Sequence, residues 1–166
     1  KIKNGNHEIF LKVRKILYHG YTDFQEIEIV EIDNHGKSLI LDCELQSCDV
    51  DQLVYHEALL GFQYSPGSSE RALVLGAGEG ISIDLLLRKG WKNIDAVDID
   101  SKAIDVYDRF LSDWNNHIYK RQDEYNLLIE DGLEILKVTP DHYYSYVIFD
   151  LNSSALKTNL EIWLKE

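Results

Sequence analysis

Arg71-Ala72-Leu73-Val74-Leu75-Gly76-Ala77-Gly78-Glu79-Gly80 decides how the chain is read. Ala72 to Leu75 is wholly apolar, as expected of a strand buried on both faces of a parallel sheet. Glycines at every second position follow; they permit positive φ and let a ligand come close to the backbone. Ile81 to Lys89 then has helical spacing. Strand, glycine turn and helix together open a doubly wound α/β domain, whose ligands bind beyond the carboxyl ends of the strands.

Downstream the alternation continues. Asn93 to Ile99 reads as a strand, and Asp100 can cap a helix running to about Leu111. Tyr125 to Glu130 is a third strand, and Leu133 to Val138 is a short helix halted before Pro140. Tyr144 to Phe149 is a fourth strand, and Ala155 to Glu166 a further helix. Upstream the texture differs. Ile9, Leu11 and Val13 alternate with Lys12 and Arg14. Phe24 to Ile32 is a second strand whose alternation shifts near Ile29-Val30, as at a bulge. Asp33-Asn34-His35-Gly36 has turn chemistry, and Lys37 to Asp42 reads as the returning strand. Residues 52–62 have helical spacing with Tyr55, Leu59 and Phe62 on one side, and Ser65 to Ser69 is a linker. Two domains follow: residues 1–50, a small antiparallel β-hairpin domain, and residues 51–166, the α/β domain. Four strands are few for such a sheet, so it is expected to be C-terminally incomplete. A chain without Met is expected to be a fragment or a processed form.

Composition narrows the function. Lys and Arg number 17 against 29 Asp and Glu, for a net charge of −12. That excludes a binder of nucleic-acid phosphates and a basic patch on anionic lipid, and suits either a cationic partner or plain solubility. Apolar residues make up 45%, the range of a folded domain, and no apolar run is long enough for a membrane helix. Cys43 and Cys48 have no second pair to complete a zinc site, so no metal is expected; two reduced thiols fit a cytoplasmic protein.

Candidate site residues sit where the fold puts ligands. Gly76, Gly78 and Gly80 form the turn. Asp98, at the end of the next strand, is placed to bind ribose hydroxyls. Glu79 at the loop would repel pyrophosphate and attract a cation, favouring a sulfonium nucleoside over a dinucleotide. Asp131 with Gly132 ends the third strand, where Asp131 serves either as an acceptor for an adenine amino group or as a helix cap. Asp150 ends the fourth strand.

With these loops in view, the chain resembles the polyamine aminopropyltransferases, the spermidine and spermine synthase family. The likeness runs from about Tyr21 to Asn152 through Gln25, Leu39-Ile40-Leu41-Asp42, Asp51 to Glu57, the glycine turn, Asp98-Ile99-Asp100, Ile129 to Gly132 and Tyr146 to Asp150. It implies a Rossmann-like, methyltransferase-type sheet. It also implies transfer of the aminopropyl group of decarboxylated S-adenosylmethionine to a polyamine, releasing methylthioadenosine, with no further cofactor. By position, Asp150 would accept the amine proton. Gln25 and His56 would contact the donor, Glu79 would hold its ammonium, Asp98 the ribose, and Asp131 with Gly132 the adenine; Tyr55 would line the amine channel. A homodimer is expected. Glu79 stands where the family usually has Asp. Asp150-Leu151-Asn152-Ser153-Ser154 lacks the second acid common in spermidine synthases, which brings the motif closest to spermine synthase. Two alternatives stay open: an S-adenosylmethionine-dependent methyltransferase, since the same fold and loop serve both, and a non-catalytic relative with a binding or assembly role.

Overall fold

The computed structural model describes residues 2–4, 7–61 and 66–151. Two short strands, β1 (Ile2–Asn4) and β2 (His7–Ile9), pair antiparallel. β3 (Val13–Tyr21), β4 (Glu26–Ile32), β5 (Gly36–Leu41) and β6 (Glu44–Cys48) form an antiparallel meander in that spatial order. The first expected strand is thus broken: His7–Ile9 and Val13–Tyr21 are separate, and Phe10 to Lys12 lie outside both. The bulge lies opposite Ile29-Val30, with Leu17 of β3 as the extra residue. Both faces of β4 are covered, which is why its alternation shifts. Ile27 and Ile29 enter the main core, whereas Val30 and Ile32 pack with Ile40 beneath Leu11 and Leu45.

β6 was not foreseen. It returns from β5 through a two-residue turn at Asp42-Cys43, both at positive φ. Such turns normally advertise themselves by glycine. α1 (Gln52–Leu60) follows, and its buried face is His56 with Leu60, not Tyr55 with Leu59. Phe62 and Ser65 lie outside the described residues.

β7 (Arg71–Leu75), α2 (Ile81–Arg88), β8 (Asn93–Asp98), α3 (Ser101–Phe110), a 3-10 turn (Ile118–Lys120), β9 (Asn126–Ile129), α4 (Gly132–Val138) and β10 (Tyr146–Phe149) complete the described chain. The sheet is parallel in the order β10-β7-β8-β9. The chain steps outward from β7 to β9 and then returns to the opposite side of β7, so the topological switch lies between β7 and β10. The helix expected over Ala155 to Glu166 falls outside the described residues. One apolar core runs through both larger sheets: Ile27, Ile29, Leu39 and Leu41 of the meander join Ala72, Val74, Ile81 and Ile148.

Candidate active site

A cavity of about 490 Å³ opens between the meander and the carboxyl ends of the parallel strands. Its parallel-sheet wall is the glycine turn. Gly76 (φ +83°) sits so close to the end of β10 that an added Cβ would overlap the Asp150 carbonyl oxygen. Gly78 donates its N–H to Asp98 Oδ2 at 2.9 Å. Gly80 (φ +80°) starts α2, where a Cβ would strike Ile118.

The expected acids converge: Glu79, Asp98, Asp131 and Asp150 all line this cavity. Asp42, Asp100 and Glu130 line it too, and no Lys, Arg or His is among the described lining residues. Asp98 Oδ1 also accepts from the Asp100 N–H at 2.9 Å, which leaves a lone pair on each oxygen for a hydroxyl. Burial pushes its carboxyl up, against the pull of the Gly78 and Asp100 N–H groups. Asp131 Oδ1 accepts from Leu133 N at 2.8 Å, so it caps α4, and the residue also lines the cavity. Gly132 beside it backs onto Leu75.

Glu79 is 9% exposed, and its Oε1 has no hydrogen-bond partner among the described residues. Burial raises its pKa, while His56 pulls the other way. Asp150 Oδ2 accepts from the Ser82 hydroxyl at 3.1 Å and lies 3.3 Å from His56 Nε2. Tyr55 lines the cavity; burial and then the charges of Asp150 and Glu79 raise its phenol. His56 stands behind Glu79 and Asp150, 1% exposed. Burial works against its proton, but Asp150 and Glu79 outweigh burial and the net shift is upward. Gln25 lines the opposite wall and donates from Nε2 to Asp100 Oδ2 at 3.1 Å.

Residues 52–160 match the family model described as the spermine/spermidine synthase domain, and residues 1–49 match that of the spermidine synthase tetramerisation domain. The chain belongs to the spermine/spermidine synthase family. Its relatives include a polyamine aminopropyltransferase of Sulfurisphaera tokodaii, 35% identical over 82% of this chain and 46% of that protein. Another, from Methanocaldococcus jannaschii, is 30% identical over 89% of this chain and 50% of that protein. The chain spans about half the length of these curated relatives. Two spermidine synthase structures share its fold at 21% identity. One, from Thermotoga maritima, has a TM-score of 0.78 and covers 91% of this chain and 52% of that one. The other, in complex with the transition-state analogue AdoDATO, has a TM-score of 0.76 over 87% and 50%.

Sequence reasoning missed the residues that hold this family member's cavity in shape. The position of Asp100 before a helix marks it as a cap. It does cap α3, accepting from Ala103 N at 3.0 Å. Its Oδ2 also accepts from the Thr22 hydroxyl at 2.6 Å and from Gln25, clasping the β3–β4 turn to the parallel sheet. Thr22 Oγ1 in turn accepts from Phe24 N and Gln25 N, a local turn motif visible as Thr-Asp-Phe-Gln. Asn115 donates to the Glu79 carbonyl at 2.6 Å, and the buried Tyr119 donates to the Gly78 carbonyl. No periodicity marks residues 112–120, so that brace had no signal.

Proposed function

We propose that this protein is a polyamine aminopropyltransferase that takes decarboxylated S-adenosylmethionine as donor. The observation that carries the reading is a cavity lined by seven carboxylates and, among its described lining residues, no basic side chain, with Glu79 buried and half-unpartnered beside Asp150. Such a wall favours a ligand with a sulfonium and amines, and disfavours the carboxylate of unmodified S-adenosylmethionine.

In this reading Asp98 accepts the ribose hydroxyls, Asp131 and Gly132 meet the adenine, and Gln25 closes over the nucleoside from the meander. Glu79 holds the donor ammonium. Asp150 takes a proton from the acceptor's ammonium, and the neutral amine attacks the methylene next to sulfur. The C–N bond forms as the C–S bond breaks, its electron pair returning to sulfur as a neutral thioether. A neutral leaving group needs no Lewis acid, so the reaction calls for no metal or resident cofactor. Holding the two reactants in line is the larger part of the catalysis. The acceptor is spermidine rather than putrescine, because Asn152-Ser153-Ser154 offers no second acid for a short diamine. Free Cys43 and Cys48 fit a cytoplasmic setting, and no helix among the described residues is long and apolar enough to cross a membrane. The match of residues 1–49 to a tetramerisation domain favours an oligomer.

The test is direct. Incubation with decarboxylated S-adenosylmethionine and spermidine or putrescine is expected to release methylthioadenosine, faster with spermidine. No release with any polyamine would overturn the activity. Calorimetric preference for carboxylated S-adenosylmethionine would point to methyl transfer instead, and nucleoside binding without turnover to a binding role.

A further inference from the structure

The geometry around His56 bears on how many protons its cluster holds. Nδ1 of His56 lies 2.6 Å from the Gln52 carbonyl oxygen. A carbonyl only accepts, so Nδ1 carries a hydrogen. Nε2 faces two carboxylates, Asp150 Oδ2 at 3.3 Å and Glu79 Oε2 at 3.7 Å. A lone pair pointed at two anionic acceptors is repelled, so a second proton lies between Nε2 and these acids. The other groups that face the cluster come from four elements. Tyr55 of α1 meets the ring edge-on at 5.0 Å. Ser82 of α2 donates to Asp150, Ser47 of β6 hydrogen-bonds Glu79, and Tyr107 of α3 feels the Glu79 charge. All four bear hydroxyls. Among the described residues, His56 is the one cationic side chain paired with Glu79 or Asp150.

We propose that His56 is a positioning residue whose imidazolium is a resident countercation for Glu79 and Asp150, and that a cationic donor displaces its proton on binding. Glu79 lines the cavity, and its buried Oε1 has no hydrogen-bond partner among the described residues, so an ammonium brought beside this carboxylate takes over the charge that Nε2–H supplies. The released proton leaves to buffer, and no covalent bond between heavy atoms changes. Nδ1–H stays on Gln52 in both states, so the exchange needs no side-chain movement. It leaves Asp150 without its cationic neighbour when the acceptor's ammonium has to give up a proton. This rests on the aminopropyltransferase reading of the same site.

Titration calorimetry in buffers of different ionisation enthalpy counts the protons. Decarboxylated S-adenosylmethionine, with its sulfonium and ammonium, is expected to release about one proton. Its affinity should rise about tenfold per pH unit while His56 starts out charged. Methylthioadenosine lacks both cations and should release none. In His56→Gln, which keeps an amide donor toward the carboxylates, the donor should bind without proton release and with flat pH dependence. Equal proton counts for the two ligands, or release persisting in His56→Gln, would overturn the inference and leave the proposed function standing. Failure of both nucleosides to bind would overturn the proposed function and this inference with it.

Discussion

Gly76 and Asp150 behave as a single unit. The Asp150 N–H donates to the Leu75 carbonyl at 2.8 Å, and the Asp150 carbonyl sits on the Cα of Gly76. Positive φ alone makes Gly76→Ala cost about 1–3 kcal/mol. The overlap with Asp150 adds to that and displaces the proposed proton acceptor. At Gly78 the nearest atom to an added Cβ is 3.8 Å away, so Gly78→Ala suffers the φ penalty alone. Urea midpoints of the two variants should therefore differ; equal midpoints would mean the close approach carries no energy. Asp150→Asn keeps the shape and removes the proposed base. Turnover is expected to fall by about two to four orders of magnitude with methylthioadenosine affinity retained. A near-normal rate would remove Asp150 from the role.

At the scale of elements, the parallel sheet was legible because each strand is a largely apolar run ended by Gly or an acidic residue. Ala72 to Leu75, Ile94, Ala96, Val97 and Ile148 are buried as their sequence demands. The acids were legible because they stand at strand ends, where the fold places ligands. The meander was read less well. Asp42-Cys43 turns without glycine, and Tyr55 and His56 share a helix on which only tertiary packing decides that histidine goes in and tyrosine out. The clasp between elements was invisible, since Thr22 and Asp100 lie 78 positions apart. Its value can be measured. Asp100→Asn can keep the α3 cap through its carbonyl oxygen but loses the acceptor for Thr22 and Gln25. Such charged hydrogen bonds are worth about 1.5–3 kcal/mol. The variant is expected to lose about that much stability, measured by urea denaturation, and to weaken methylthioadenosine binding as Gln25 comes adrift. Unchanged binding would show that the clasp is structural alone.

Across the whole molecule, stability should depend on pH in an unusual direction. His56, Glu79 and Asp98 all have folded-state pKa values above their ordinary 6.5, 4.5 and 3.8. The folded chain then keeps these protons to higher pH than the unfolded chain. Their contribution is full below the ordinary values and is lost as pH rises through the folded ones. Glu26 and Glu124, held down by hydrogen bonds from His19 and Arg121, act in the opposite sense, but only as pH falls below 4.5. The urea midpoint is expected to decline as pH rises from the ordinary 4.5 of Glu79 past the ordinary 6.5 of His56, and Glu79→Gln to flatten the decline. A midpoint rising across that window would contradict the assignment. Light scattering should find a multiple of the chain mass, since the edge strand β3 exposes Val13, Ile16 and Tyr21; a monomer at all concentrations would exclude the oligomer.

The core shared by the two sheets has a consequence for biosynthesis. The meander leaves the ribosome before any of the parallel sheet, and chains emerge at about 5–20 residues per second. Until Arg71–Leu75 and Ile81–Arg88 follow, the face built from Ile27, Ile29, Leu39 and Leu41 has nothing from that sheet to lie against. The nascent chain therefore passes through an interval of several seconds as a sticky half-structure. Synonymous changes that slow translation between residues 49 and 90 should lower soluble yield without altering a single side chain.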